Sequence, residues 1–292
     1  MFKGGENLAE TTRDIKRRIR GISSTKQITK AMELVSSAKL RRARERLEKS
    51  RPYYETVLSN IQDILATTGN MKHPLLDKRQ VKSALYIVVS ADRGLAGGYN
   101  SGIIRLAEKK IKDDNLDAKI IAVGGKAREY FKKRNYNVVG EYVGITEEPL
   151  FSDARSIGNL ALELYKKGEV DEINIVYTVF LGTISQEARI LRLLPSSEVK
   201  PESGNKRTVT EFEPSAEDVL SFLIPKYIQS SIYGALIEAS SSEQAARRVA
   251  MEAATDNAEE MIDELQISYN RARQAAITME ITEIVSGADA LK

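Results

Sequence analysis

The sequence predicts an α/β protein joined to a long α-helical coiled coil. In this reading an antiparallel two-helix shaft is made from both chain ends, and a doubly wound, Rossmann-like α/β domain is inserted between them. Three observations carry it. No proline falls between Lys226 and Lys292, and Gly234 and Gly287 are the only glycines there. Near the other end, apolar residues recur at helical spacing. Between residues 84 and 194, apolar strand-like runs alternate with helix-like segments, the pattern of an α/β layer architecture. The expected domains are 1–70 and 213–292, forming one discontinuous coiled coil, and 71–212, forming the α/β domain.

Residues 7 to about 67 read as the first long helix. Ile15, Ile19, Ile22, Ile28, Met32, Val35 and Leu40 mark a broad apolar face. Pro52 should kink or end this helix, because its ring removes a backbone donor and clashes with the preceding turn. Residues 13–51 carry fourteen Lys/Arg against four Asp/Glu, a net of +10, so the remainder carries −7 of the overall +3. A basic helix invites comparison with a DNA-binding basic region. Here the apolar seam runs through the basic segment itself, and no aromatics are interleaved to stack on bases. A solvated coiled-coil face, or an acidic protein partner, is favoured over nucleic acid.

Lys72-His73-Pro74 closes the helix. Ala84–Ser90 is a continuous apolar run, as in a buried parallel strand. The glycine-bearing loop Asp92-Arg93-Gly94-Leu95-Ala96-Gly97-Gly98 follows it and leads into a helix to Lys112. Lys119–Val123 is a second strand, followed by a helix to Arg134. Ser152–Lys167 reads as a helix, and Glu172–Phe180 and Glu187–Leu194 as strands. The glycine loop is neither G-x-G-x-x-G nor a phosphate loop with Gly-Lys-Ser/Thr, so no nucleotide is expected there. Residues 195–210 form a polar loop, and Phe212-Glu213-Pro214 leads into the last helix, which Pro225 should bend.

From Lys226 to Ser286 the chain reads as one helix of roughly 90 Å at ~1.5 Å per residue. Ala254, Ala258, Met261, Leu265, Ser268, Ala272, Ala275 and Met279 follow the 4-3 spacing of a heptad seam. Most are small, so the axes approach closely while each residue buries little area. Ile262, Ile277, Ile281 and Ile284 form a second stripe, which suggests a tip enclosed by other subunits. Ser240-x-x-Glu243 has capping-box spacing, and Thr255-Asp256-Asn257 is cap-like, so the helix could restart at either point. Glu252–Glu264 holds six acids and no bases. That band could pair with a partner or with the basic end of the chain.

Composition removes several chemistries. Cysteine is absent, which excludes disulfides, thiolate catalysis and cysteine-ligated metal. His73 is the single histidine, so no histidine cluster or histidine-based nucleophile exists. Asp113-Asp114 and Glu147-Glu148 sit in polar connections and read as solvated surface. No catalytic constellation, metal site or cofactor is expected. No apolar run reaches membrane-spanning length and no signal-peptide pattern opens the chain. The protein is expected to be intracellular and soluble, or peripheral on a membrane complex.

Several segments resemble the gamma subunit of F-type ATP synthases. They are Gln27-Ile28-Thr29-Lys30-Ala31-Met32-Glu33, Ser36-Ser37-Ala38-Lys39, Arg51-Pro52-Tyr53, Ser242-Glu243-Gln244-Ala245-Ala246-Arg247, Ala253-Ala254-Thr255-Asp256-Asn257, Glu264-Leu265-Gln266, Asn270-Arg271-Ala272-Arg273-Gln274, and Ile277-Thr278-x-Glu280-x-x-Glu283-x-x-x-Gly287-Ala288. The family's glycine loop is also present, with Ala96 where a cysteine is common. The resemblance reaches both chain ends. It implies a non-catalytic central shaft of a bacterial ATP synthase, surrounded by alpha and beta subunits and coupling ion flow through a membrane rotor ring of c subunits to ATP synthesis or hydrolysis. By the same resemblance Arg273 and Gln274 would hydrogen-bond a loop of one beta subunit, with Thr278 and Glu280 in support. Arg247 would belong to the coupling region, an ordinary charged coil position being the equal alternative. Lys26, Lys30 and Met32 would face an acidic lever of beta. Lys72, Phe212 and Glu213 would touch the rotor ring or the epsilon subunit. The location implied is peripheral, on the cytoplasmic face of the bacterial cell membrane, without direct insertion. The rival reading is a dinucleotide-binding α/β protein with coiled-coil arms for dimerisation.

Overall fold

The computed structural model describes residues 12–68, 75, 80–195 and 215–289, and excludes the side chains of 51, 66–68 and 289. They fall into two compact units, one drawn from residues 36–249 and one from the two chain ends, 1–35 with 250–292.

The larger unit is built on a five-stranded sheet. Its strands are β1 (Ser83–Val89), β2 (Asp117–Val123), β3 (Asn137–Tyr142), β4 (Glu172–Phe180) and β5 (Gln186–Leu194), in the order β3-β2-β1-β4-β5. The β1–β2, β1–β4 and β2–β3 pairs are parallel, and β5 is an antiparallel edge on β4. The alternation along β1 explains the layers. Ala84, Tyr86 and Val88 pack on one face with Ile103, Ile104 and Ala107 of α2 (Tyr99–Asp114) and Phe131 of α3 (Gly125–Lys133). Leu85, Ile87 and Val89 pack on the other with Ile157, Ala161 and Tyr165 of α4 (Phe151–Lys166). That second face also takes Ile61 and Ile64 from helix α1 (Thr12–Thr68) and Ile224, Ile228 and Ile232 from helix α5 (Ala216–Asp289). A sheet buried on both faces needs a near-continuous apolar β1, and residues 84–89 are all buried.

The doubly wound domain is thus as expected, with β3 added. That strand escapes sequence reading because it is a half-buried edge interrupted by Gly140. The glycine has a steric cause, since a Cβ there would lie 2.7 Å from Leu160 Cδ2.

Pro52 neither ends α1 nor stops its continuation to Thr68. The turns that follow are held by burial of Val57, Ile61, Ile64 and Leu65, which outweighs one lost backbone bond. Pro225 likewise lies inside α5. That helix starts earlier than Lys226, where Ser215 Oγ accepts from Asp218 N at 3.1 Å and donates to Asp218 Oδ2 at 2.6 Å, an N-cap. No restart occurs at Ser240 or Thr255. The hydroxyls of Ser240 and Ser242 are taken by tertiary acceptors, Glu147 O and Thr178 O, both at 3.0 Å.

The smaller unit is an antiparallel helix pair. Thr29 Oγ1 lies 2.8 Å from Thr255 Oγ1, and Lys26 Nζ lies 2.9 Å from Glu259 Oε1. As the number falls on α1 it rises on α5, which fixes the direction. Burial marks the seam as Thr12, Ile15, Ile19, Ile22, Lys26, Thr29 and Glu33 on α1 and Met251, Thr255, Ala258, Ile262, Leu265, Tyr269 and Ala272 on α5. Both runs keep heptad spacing. The expected seam is corrected in phase. Ala258, Leu265 and Ala272 hold their places, but Thr255, Ile262 and Tyr269 take the positions expected of Ala254, Met261 and Ser268, and Ala275 and Met279 are exposed. On α1, Ile28 and Val35 stand 60% and 54% exposed, and the smaller Thr29 occupies the seam between them.

Candidate functional site

In an open α/β sheet a ligand sits at the carboxyl ends of the strands, where the strand order reverses. Here that point lies between β1 and β4, and the chain itself fills it. Ser242 of α5 bonds the β4 carbonyl of Thr178. Tyr99 Oη, from α2, donates to Ala239 O at 3.2 Å, and Ala246 packs on Ala91, Ala96 and Tyr99. Arg247 Nη2 donates to Gly94 O at 3.3 Å and sits 2.7 Å from Glu243 Oε1. Both members of that pair are buried, Glu243 at 1% and Arg247 at 6% exposure. Burial pushes the Glu243 carboxyl up from its ordinary range, and Arg247 opposes it. The glycine loop is therefore a socket for α5 and leaves no crevice for a dinucleotide.

Asp92 fixes that socket. Its Oδ1 accepts from Gly125 N at 3.0 Å and Gly144 N at 2.8 Å, and its Oδ2 from Thr146 N at 3.2 Å and Thr146 Oγ1 at 2.8 Å. One carboxylate thus ties together the loops after β1, β2 and β3. Gly124 completes the arrangement, because its φ is +91° and a Cβ would lie 2.3 Å from Ser90 O. Lys39 of α1 meets Glu147 Oε2 at 2.5 Å and holds the Glu147 carboxyl below its ordinary range, with Arg93 and Arg247 adding to the effect. Glu243 and Asp92 were missed in the sequence. The Glu-x-x-x-Arg spacing of 243 and 247, one helical turn, is the signal that could have found the first. Nothing local marks the second.

In the helix pair, the acidic band and the basic band find each other within one chain. Lys26 pairs with Glu259. Lys30 bonds Glu33, which holds its ammonium above the ordinary value, with Glu252 and Asp256 adding to the field. Met32 is half-buried. Each pair keeps one partner in solvent, Glu259 or Lys30, and such pairs add little, whereas the seam removes apolar side chains such as Ile15 from water. Seam burial therefore holds the pair, and the charges set its direction.

Arg273, Gln274, Thr278 and Glu280 lie together on a bare stretch. Every residue from 273 to 288 is exposed. The antiparallel register sets Ala272 opposite Thr12, so no described residue of α1 lies beyond it. At 100° per residue the four polar residues and Ile277, Ile281 and Ile284 fall within one arc of roughly 160°. The four come together, remote in sequence from Lys26, Lys30 and Met32, with Ile281 and Ile284 57% and 66% exposed among them. Lys72, Phe212 and Glu213 lie outside the described residues. Among the described residues no cluster of His, Asp or Glu is placed to hold a metal, and no helix is long and apolar enough to cross a membrane.

A family model described as ATP synthase matches residues 11–291. The chain is 54% identical over 287 residues to an ATP synthase gamma chain of Alkaliphilus metalliredigens, covering 96% of this chain and 98% of that one. It is 46% identical to a gamma chain of Acetobacterium woodii named as sodium ion specific, covering 97% and 100%. Among solved structures, a chain of the Euglena gracilis mitochondrial ATP synthase superposes with a TM-score of 0.68 at 21% identity over 96% of this chain and 94% of its own, a likeness of fold. A chain from the central stalk and c-ring of the Tetrahymena thermophila mitochondrial ATP synthase gives 0.60 at 25% identity, covering 78% and 99%.

Proposed function

The chain belongs to the gamma-chain family of the ATP synthases, and from that premise we propose how its parts divide the mechanical work. It is the non-catalytic central shaft of an F-type ATP synthase, coupling ion flow through the membrane rotor ring to sequential ATP synthesis or hydrolysis in the alpha/beta head. The partners are alpha, beta, epsilon and the c-subunit ring. The chain works peripherally, on the cytoplasmic face of the bacterial membrane.

Residues 1–70 and 213–292 act as the shaft and 71–212 as the foot. The observation that carries the division is the bare end of α5. Sixteen consecutive exposed residues on a continuous helix, several of them large and apolar, are stable in water only at a cost that a surrounding protein removes. Arg273, Gln274, Thr278 and Glu280 are the polar contacts of that enclosed end with alpha and beta. Lys26, Lys30 and Met32 face beta from α1, where Lys26 pairs with Glu259 and Lys30 with Glu33. Arg247 acts one step back. Buried against Glu243, it couples α5 to the glycine loop, so turning the helix moves the loop with it. Lys72, Phe212 and Glu213 meet the rotor ring or epsilon.

Reconstitution tests this reading. The full chain is mixed with separately purified alpha and beta subunits of the same organism, and complex size and ATP hydrolysis are measured. A single large complex with one copy of the chain, and no hydrolysis without it, is the expected result. A chain that stays alone or dimerises overturns it.

A further inference from the structure

The larger unit contains an open cavity of about 840 Å³ between α1, α5 and the β4–β5 edge, inside the range of about 300–1,000 Å³ typical of small-molecule sites. Tyr53, Phe151, Tyr177, Phe180 and Tyr233 contribute to its walls, and Phe151 and Tyr233 are already set edge to face at 5.6 Å. Tyr54 lines it too, stacked on Tyr227 at 5.9 Å; the chain has only 6% aromatic residues, so six rings around one space is a concentration.

Two features of the α5 wall have no use among the described residues. Gly234 lies in the interior of a helix, where glycine is disfavoured against alanine, and a Cβ there would meet nothing within 4 Å. Packing within the chain therefore does not require it, and the space over it is left open. Ser230 is buried, and its Oγ makes no hydrogen bond among the described residues, whereas the neighbouring Ser231 Oγ donates to Tyr227 O at 2.8 Å. A buried hydroxyl without a partner is a standing cost, and Ser230 is among the residues that line the cavity. The charged lining residues are Arg189 and Glu238, of opposite sign, and Arg189 is bound to Glu187 at 2.8 Å.

We propose that this cavity is a binding site for a neutral, planar, multi-ring aromatic molecule carrying a hydrogen-bond acceptor at its edge. The rings stack against the tyrosine and phenylalanine walls, the flat body lies over Gly234, and the acceptor takes the proton of Ser230. The site is independent of the shaft contacts.

The test uses the full chain in solution and the neutral fluorophore N-phenyl-1-naphthylamine. One saturable site per chain is expected. Gly234→Leu should weaken binding by more than ~10-fold, as filling the space removes well over 1.4 kcal/mol of contact, with helicity and melting temperature kept. Gly21→Leu, at a helix glycine outside the cavity and equally open, should leave binding unchanged. An acceptor-bearing probe, 2-acetylnaphthalene, should bind roughly 2- to 10-fold more weakly to Ser230→Ala. This arm decides the question if Gly234→Leu fails to fold. Non-saturable uptake, or equal binding by wild type and Gly234→Leu, overturns the proposal. Loss of the probe when the chain assembles with its alpha, beta and epsilon subunits also overturns it, and makes the cavity a partner's docking surface.

Discussion

Thr29 and Thr255 stand 226 positions apart in the chain, and their hydroxyl oxygens lie 2.8 Å apart. Lys26 O at 3.0 Å from Thr29 Oγ1 and Met251 O at 2.8 Å from Thr255 Oγ1 compete for the same two protons, so one threonine donates across the seam while the other donates to its own helix. A polar pair of this kind adds little net stability but pins the register of an otherwise slippery, small-residue seam. The chain has no cysteine, so the pair can be tested without background. Thr29→Cys with Thr255→Cys should oxidise to an intrachain disulfide, seen as a mobility shift on a non-reducing gel. Thr29→Cys with Met261→Cys should not. Intermolecular dimers alone would mean that the two helices pair between chains.

Removing Arg247 takes away the guanidinium that opposes the burial of the Glu243 carboxylate. Arg247→Ala is expected to cost about 3–5 kcal/mol in denaturant unfolding, with faster amide exchange across residues 92–98. The variant should also acquire a pH dependence. Burial already raises the Glu243 carboxyl, and without the guanidinium it rises further. A raised folded-state value gives stability that is full below the ordinary carboxylate range and is lost as pH rises through the folded value. The deficit against wild type should therefore grow from mildly acidic to neutral pH and shrink again in Glu243→Gln/Arg247→Ala. A pH-independent deficit would place Arg247 outside this role.

Glu147 has the opposite sign. Lys39 holds its carboxyl below the ordinary range, so its contribution is present above that range and is lost as pH falls through the folded value. Glu147→Gln should cost at most about 1 kcal/mol at neutral pH, because both partners are about a third exposed. Wild type and variant should converge in acid. Calorimetric melting at a series of pH values checks this. Divergence in acid would contradict the Lys39 pairing.

At the bare end, Arg273→Ala with Gln274→Ala should lower coupled ATP hydrolysis or assembly of the reconstituted complex. Lys109→Ala with Arg128→Ala, two exposed changes on the α/β unit, should not. Because 273 and 274 are exposed, the melting temperature of the isolated chain should stay unchanged. Equal losses in both variants would remove the assigned contact.

The α/β core was legible because β1 is buried on both faces, which leaves an unbroken run from Ala84 to Val89. The antiparallel direction followed from the two long ends flanking an inserted domain. The seam phase was harder to read. Met261 and Ile262 are adjacent, both apolar, and either continues a heptad from Ala258. Only a partner helix decides between them. Ile28 looked like core by type and is exposed, because a threonine one position on has its own partner across the seam. Asp92 was invisible for a similar reason. Its four acceptor contacts come from residues 33 to 54 positions away, beyond any local pattern.

The separation of Thr29 from Thr255 also sets a clock. At about 5–20 residues per second, a ribosome needs roughly 10–45 s after finishing one threonine before it reaches the other. Throughout that interval the apolar edge of α1 has no mate, while the whole α/β unit is being made. The nascent chain must keep Ile15, Ile19 and Ile22 from alternative pairings until the final tenth of its synthesis. The basic residues set among them, which repel a second copy of the same segment on a neighbouring ribosome, are suited to that wait.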